Sequence, residues 1–253
     1  MSWCDKLAST PTVGLRFTPL VTPSEALIAS LSPILSDLFR DDKPEFNIEA
    51  QDPLSLTLIT NDGYRYGIDA TKVFVSFHHR HRLVPVSGDL PRLELLSEAK
   101  PYTALLNDAV ERIKRATILL PNLNKRKINR IGIISSTGVD ECDLPPGIAR
   151  ILEYVKRPFP QGISQMNFQV TNIIDKNKDY TDKCIYQIIK PLDTAEDQIM
   201  TLSFDWQREF HNERPVTEKS LDAICEEGRH CALEYFEHIG EGVDFDEQII
   251  SER

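Results

Sequence analysis

Apolar and polar residues alternate at Val13, Leu15 and Phe17, and this two-residue period predicts a strand over residues 12–21. Thr22-Pro-Ser-Glu25 is a capping box with proline at the first helical position. It opens a predicted helix carrying Leu27, Leu31, Ile34, Leu35 and Leu38, kinked or split at Pro33. Short strands follow at residues 46–49, 54–59 and 64–68. Asn61-Asp-Gly63 between the last two is a hairpin turn, because Asn and Gly accept positive φ. Val73, Val75 and Phe77 place another strand over residues 72–79. Residues 84–100, with Pro85, Gly88 and Pro91, read as a long connecting loop. Leu105, Leu106, Ala109, Ile113 and Ala116 then recur at helical spacing over residues 102–119.

The same order returns downstream. Ile128, Ile131, Ile133 and Ile134 build a strand over residues 127–136, and the near-unbroken apolar run predicts cover on both faces. A short helix follows over residues 145–155. Strands at 166–174 and 184–189 pair across the turn at 176–179, and a third strand occupies 199–206. Thr217 caps a last helix whose stripe runs through Leu221, Cys225, Gly228, Ala232 and Phe236 to Ile239, with Gly240 and Gly242 at its end. Val73-Phe-Val-Ser-Phe77 and Met200-Thr-Leu-Ser-Phe204 occupy matching places.

The pattern therefore predicts an α+β protein of two similar β-α-β-β-β-α halves, with helices packed on largely antiparallel sheets. The turn-rich segment 121–126 sets the boundary, giving an N-terminal half over 1–124, a C-terminal half over 125–240 and an acidic tail over 241–253. The halves either share one continuous sheet or stand as two lobes.

With 41% apolar and 27% charged residues, the chain falls in the ordinary globular range. No apolar run approaches the ~18 residues of a membrane-spanning helix, and no membrane partner is expected. Met1-Ser-Trp-Cys-Asp-Lys6 lacks the basic start and apolar core of a leader, so a cytoplasmic protein is expected. Five dispersed cysteines without a Cys-x-x-Cys pair give no disulfide or zinc framework. The net charge of −10 lies mainly in residues 126–253, with 15 Lys and Arg against 24 Asp and Glu; residues 1–125 hold 14 against 15. An acidic surface repels phosphate backbones, so nucleic acid is not the favoured partner.

The most conspicuous run is Ser76-Phe-His-His-Arg-His-Arg82. On a strand His79 and His81 share one face and Arg80 the other. The two histidines are the candidate metal ligands, with His211 or Asp205 as completing ligands, but Arg80 and Arg82 raise the positive potential a cation would meet. The plainer reading is a solvated strand end; the other is an anion- or nucleic-acid-binding site formed by His79, Arg80, His81 and Arg82. Arg126 and Arg130, with Arg112, Lys114 and Arg115, form a second basic cluster, able to reach phosphates only if it converges with the histidine run. No nucleophile elbow, phosphate loop or dinucleotide fingerprint is present, and no cofactor is implied. Glu226, Glu227, Glu234 and Glu237 line the polar side of the last helix. Part of its apolar stripe and the acidic tail are candidates for docking a partner.

Phe17-Thr-Pro-Leu20, the aromatic strand over residues 73–82, Pro101-Tyr102 at a helix start and a last helix over residues 221–236 together resemble a sporadically distributed prokaryotic family of uncharacterised proteins of about this size. Ile131-Gly-Ile-Ile-Ser135 stands where that family carries Tyr-x-Asn. The resemblance implies a place among mobile or defence-associated genes and carries no catalytic residues. The sequence thus points to a non-enzymatic binding or assembly component of a prokaryotic multi-protein system, bound to a protein partner or to itself. The alternative is a metal-dependent or phosphate-processing enzyme using His79 and His81.

Overall fold

The computed structural model describes residues 2–18, 36, 46–52, 55–84, 92–96, 99–120, 122–159, 163–190 and 199–242. Apart from Ser36, the helix predicted near the N-terminus lies outside these residues, as does the tail from residue 243.

Eleven strands are described: β1 Thr10–Phe17, β2 Phe46–Asp52, β3 Ser55–Thr60, β4 Tyr64–Asp69, β5 Lys72–Phe77, β6 His81–Val84, β7 Arg92–Leu95, β8 Lys127–Val139, β9 Met166–Lys176, β10 Tyr180–Lys190 and β11 Met200–Pro215. Nine of them form one sheet in the order β2-β3-β4-β5-β1-β8-β11-β10-β9, and β6 pairs with β7 in a separate ribbon. Every pairing is antiparallel. The fold is α+β, and of the two arrangements left open by the sequence it is the continuous sheet. Strands β1 and β8, from opposite halves of the chain, meet at its centre, with Val13 opposite Ile133 and Gly14 opposite Gly132.

The described helices are α1 Trp3–Lys6, α2 Tyr102–Ile118, α3 Pro146–Lys156 and α4 Glu218–Glu241. Helix α2 packs on β1 and β5, and α4 packs on β8 and β11. The alternation of the strands decides which side they cover. Val13, Leu15 and Phe17 are fully buried, as are Leu56 and Leu58, Val73 and Val75, and Leu202, Phe204 and Trp206. Each such side chain removed from water contributes roughly 1.5–3 kcal/mol, so burial of this face dominates stability. Gly228 on α4 lets the helix come down onto Trp206, where a Cβ would lie 3.1 Å from the indole. Phe204 stacks on Phe236 with centroids 5.6 Å apart. Thr217 and Ser220 form a reciprocal capping box at the start of α4, and Gly242 closes it at φ 75°.

Four expectations from the pattern change. Strand β5 ends at Phe77, so His78–Arg80 leave the ladder. The loop expected over 84–100 contains β7, which pairs with β6. The isoleucine run of β8 is fully buried on one face only: Ile131 and Ile133 are buried, while Gly132 and Ile134, on the opposite face, are half-buried. Strand β11 continues nine residues past the predicted end at Trp206, because its next inward position is a charged residue that does not read as core. That residue, Arg208, is only 4% exposed. It donates to both oxygens of Asp182 at 2.7 and 2.6 Å, meets Glu227 at 2.6 Å and lies 3.7 Å from the centroid of the Tyr180 ring.

Candidate functional site

The other face of the sheet carries the alternate residues of the same strands, and registers across the ladders arrange them in rows. Glu209, Arg130, Arg16 and Lys72 make one row, each directly opposite the next. Gln207, Gly132, Gly14, Phe74 and Gly67 make the second. Asp205, Ile134, Thr12 and Ser76 make the third. Because the middle row loses its side chains at Gly132 and Gly14, a groove of about 440 Å³ crosses the centre of the sheet between the other two rows. That volume falls within the range of small-molecule sites. A second depression of about 280 Å³ adjoins it beyond Arg16 and Arg130.

The glycines of this face are not equivalent. At Gly67 a Cβ would lie 2.0 Å from the Phe74 ring, so Gly67 is needed to seat that ring. At Gly14 and Gly132 the nearest atoms would be 3.8 and 3.7 Å away, and neither residue has positive φ. Neither packing among the described residues nor backbone conformation therefore requires glycine there. Glycine inside a strand costs roughly 0.5–1 kcal/mol relative to alanine, and bare strand positions mark places where something approaches the backbone closely.

The walls are polar. Gln207 donates to Asp205 Oδ2 at 2.6 Å and accepts from Arg130 at 3.2 Å. Burial pushes the Asp205 carboxyl above its usual value, against the lowering effects of the Gln207 bond and the Arg130 charge. Asp205 Oδ1 leans over Gly132, 3.9 Å from where its Cβ would stand. On the opposite wall, Lys72 pairs with Asp69 at 3.5 Å, and Arg130 stands 3.9 Å from Glu209, which also binds Lys183 at 2.7 Å. Asp69 is fixed by the Thr71 hydroxyl and the backbone amides of Thr71 and Lys72. Arg16, between Arg130 and Lys72, is exposed and has no ion-pair partner among the described residues. The arrangement can hold an anion at one wall and accept hydrogen bonds from a donor at the other. Among the described lining residues there is no histidine or cysteine.

The six residues singled out in the sequence do not converge. Arg130 lies in the groove wall. Arg126 is only 2% exposed: it donates to the Ala70 carbonyl at 2.9 Å and stacks over Phe17, so it clamps the β4–β5 turn to the start of β8. Burial lowers its pKa. The histidine run leaves the far end of β5, five residues or about 17 Å along the strand from Lys72. There His78 donates its backbone N–H to Gly63 at 2.9 Å, and the Arg80 guanidinium donates to Asn61 Oδ1 at 2.9 Å, so the run fastens the β3–β4 hairpin. Burial lowers the pKa of His79, whose ring meets Phe77 edge-on at 5.1 Å; the His79 and His81 centroids are 6.5 Å apart. His81 and Arg82 are exposed on β6. His211 bonds the Thr181 hydroxyl at 2.8 Å, and Asp205 stands in the groove, so neither of the suggested completing ligands joins the histidine pair. Among the described residues no group of three or more His, Cys, Asp or Glu side chains is placed to hold a metal ion. No helix among them is long and apolar enough to cross a membrane.

Sequence reasoning missed Gly14, Gly132, Arg16, Gln207 and the groove role of Asp205. The available signal was the mirrored spacing Gly14-x-Arg16 and Arg130-x-Gly132, as two antiparallel neighbours in register require. Comparison of the chain with protein-family models, with curated proteins and with solved structures finds no match.

Proposed function

We propose that this chain is a non-enzymatic binding component whose ligand lies in the groove across the face of the sheet opposite α2 and α4. One observation carries the reading: Gly14 and Gly132 stand together on the two central strands where nothing among the described residues requires glycine. The space they leave is bounded by ordered polar walls, the usual form of a site with a few placed polar groups. A thermal-shift screen of small molecules on the wild type and on Gly132→Leu tests it. The leucine fills the groove from an open position and leaves the core untouched. Compounds that stabilise the wild type and not the variant support the reading; compounds that stabilise both equally overturn it.

The cellular setting in this reading is a cytoplasmic prokaryotic system, defence-associated as the family resemblance implies, with the groove as its sensing or loading site. The two halves derive from one duplicated unit. In support, each half contributes its first strand to the centre of the sheet, at least three consecutive strands outward from it (β5, β4, β3 and β11, β10, β9) and a long helix packed on it.

A second reading, self-association through a sheet edge, rests on β9. This outer strand exposes Ile173 (55%) and Ile174 (42%), and apolar edges recruit further strands. Sedimentation of the wild type and of Ile173→Lys/Ile174→Lys tests it. A dimer lost in the variant supports it, and a wild-type monomer at all concentrations ends it.

A further inference from the structure

The cationic wall of the groove has a feature that stability alone does not explain. Arg130, Arg16 and Lys72 are directly opposed on three neighbouring strands. Like charges at such positions repel, since directly opposed Cβ atoms are only about 5 Å apart. The outer two members are compensated: Glu209 stands 3.9 Å from Arg130, and Asp69 stands 3.5 Å from Lys72. Read along the row, the charges run minus, plus, plus, plus, minus, and the central plus is the one left over. Arg16 lies where the groove and the adjoining depression meet, so an anion can reach it from either.

Opposite this wall, Asp205 presents Oδ1 toward the groove while Oδ2 is occupied by Gln207. Arg16 and Thr12 bracket Gly14 four residues apart on β1, and Glu209 and Asp205 bracket Gln207 by the same four on β11. The two walls are therefore about 13 Å apart between backbones, and closer between side-chain tips that lean inward. Between them the floor is bare backbone at Gly14 and Gly132, with Phe74 at one end.

Resting on the groove as a binding site, we propose that its ligand is a nucleoside 5′-monophosphate or a close chemical equivalent. The phosphoryl group sits over Arg16 between Arg130 and Lys72. The flat base lies on the glycine floor and offers an N–H donor to Asp205. Two guanidiniums and an ammonium in a row supply separate donors to the three terminal phosphoryl oxygens, whereas a planar carboxylate is satisfied by one guanidinium. A ring needs a floor without side chains, and a carboxylate acceptor at the far wall selects donors.

The test is titration calorimetry with adenosine, guanosine, cytidine and uridine 5′-monophosphates, the matching nucleosides and inorganic phosphate, on the wild type, Arg16→Gln and Gly132→Leu. Arg16 makes no described contact that its loss would disturb, so Arg16→Gln folds as the wild type does. At least one nucleotide is expected to bind the wild type and to lose about tenfold to a hundredfold in Arg16→Gln, the range of one charge-assisted hydrogen bond. The matching nucleoside binds more weakly and ignores the substitution, inorganic phosphate responds to Arg16 alone, and Gly132→Leu removes the nucleotide. The inference is overturned if no nucleotide binds, or if Arg16→Gln binds every nucleotide as the wild type does. In either case the groove reading is judged separately: it survives if other compounds still distinguish the wild type from Gly132→Leu, and falls if none does.

Discussion

Gly14 and Gly132 face each other across the β1–β8 ladder, and a Cβ at either would meet its nearest described neighbours only at ordinary van der Waals distance. Alanine fits at either position without moving a neighbour, and its smaller unfolded-state entropy favours the fold. Gly14→Ala and Gly132→Ala are each expected to raise stability by about 0.5–1 kcal/mol. Gly67→Ala, two strands away on the same row, drives the Phe74 ring out of its seat and is expected to cost about 1–3 kcal/mol. Urea unfolding of the three variants checks the contrast. A loss of stability in Gly14→Ala would mean that its site is filled in the free protein.

Asp205 is expected to cost stability for the sake of the groove. Its folded-state pKa is raised by burial above the usual 3.8, so the folded protein holds the proton more tightly than the unfolded chain. The linkage then runs in one direction: stability is lost as pH rises through the carboxylate range, and the full penalty stands above the raised value. Asp205→Asn keeps an acceptor for Gln207 and removes the penalty. Its melting temperature is expected to exceed the wild type's at pH 7 and to match it at low pH, while ligand affinity falls. Equal melting temperatures at neutral pH would show that Arg130 and Gln207 fully offset the burial.

Arg208 and Asp182 form a buried pair, with 4% and 6% of their side chains exposed. Asp182→Ala leaves the guanidinium under the helices with only the half-exposed Glu227, and is expected to cost about 3 kcal/mol. Replacing the arginine as well, in Asp182→Ala/Arg208→Met, restores part of this loss. Chemical unfolding of the single and double variants measures the difference; a double variant less stable than the single would show that Arg208 contributes mainly through Tyr180 and Trp206.

His78 and His79 are both held below the usual imidazole value of 6.5, chiefly by burial, with Arg65 adding to the first and His81 to the second. The folded state therefore takes up protons less readily than the unfolded chain. Stability is fully present above pH 6.5 and declines as pH falls through the lowered folded-state values. A His78→Gln/His79→Gln variant is expected to show a flatter decline as pH falls below 6.5. Stability curves at constant ionic strength decide it, and identical slopes would place both imidazoles in water.

The strands were legible because alternation survives wherever one face is buried: Val13-x-Leu15-x-Phe17 and Leu202-x-Phe204-x-Trp206 announce their inward sides. Helix α4 announced itself through Thr217 and the stripe ending at Ile239. The groove was not legible, because its elements are joined only by register. Gly14 and Gly132 are 118 positions apart, and a lone glycine in a strand reads as weakness until its neighbour across the ladder is known. Asp205 was considered only as a metal ligand. The histidine run drew attention by composition, yet its position at the end of β5 gives it a local task, holding the turn at Asn61–Gly63. Arg126 and Arg208 misled in the same way, since charge suggests solvent until a buried partner is found.

The seam between β1 and β8, eight residue pairings long, makes this a protein to be split rather than trimmed. A protease nick at the Asn122 turn leaves two fragments zipped along the whole of β1, and they should stay together through gel filtration. Discarding either fragment leaves the other with a raw central edge, and a naked edge of that length is an invitation to fibrils.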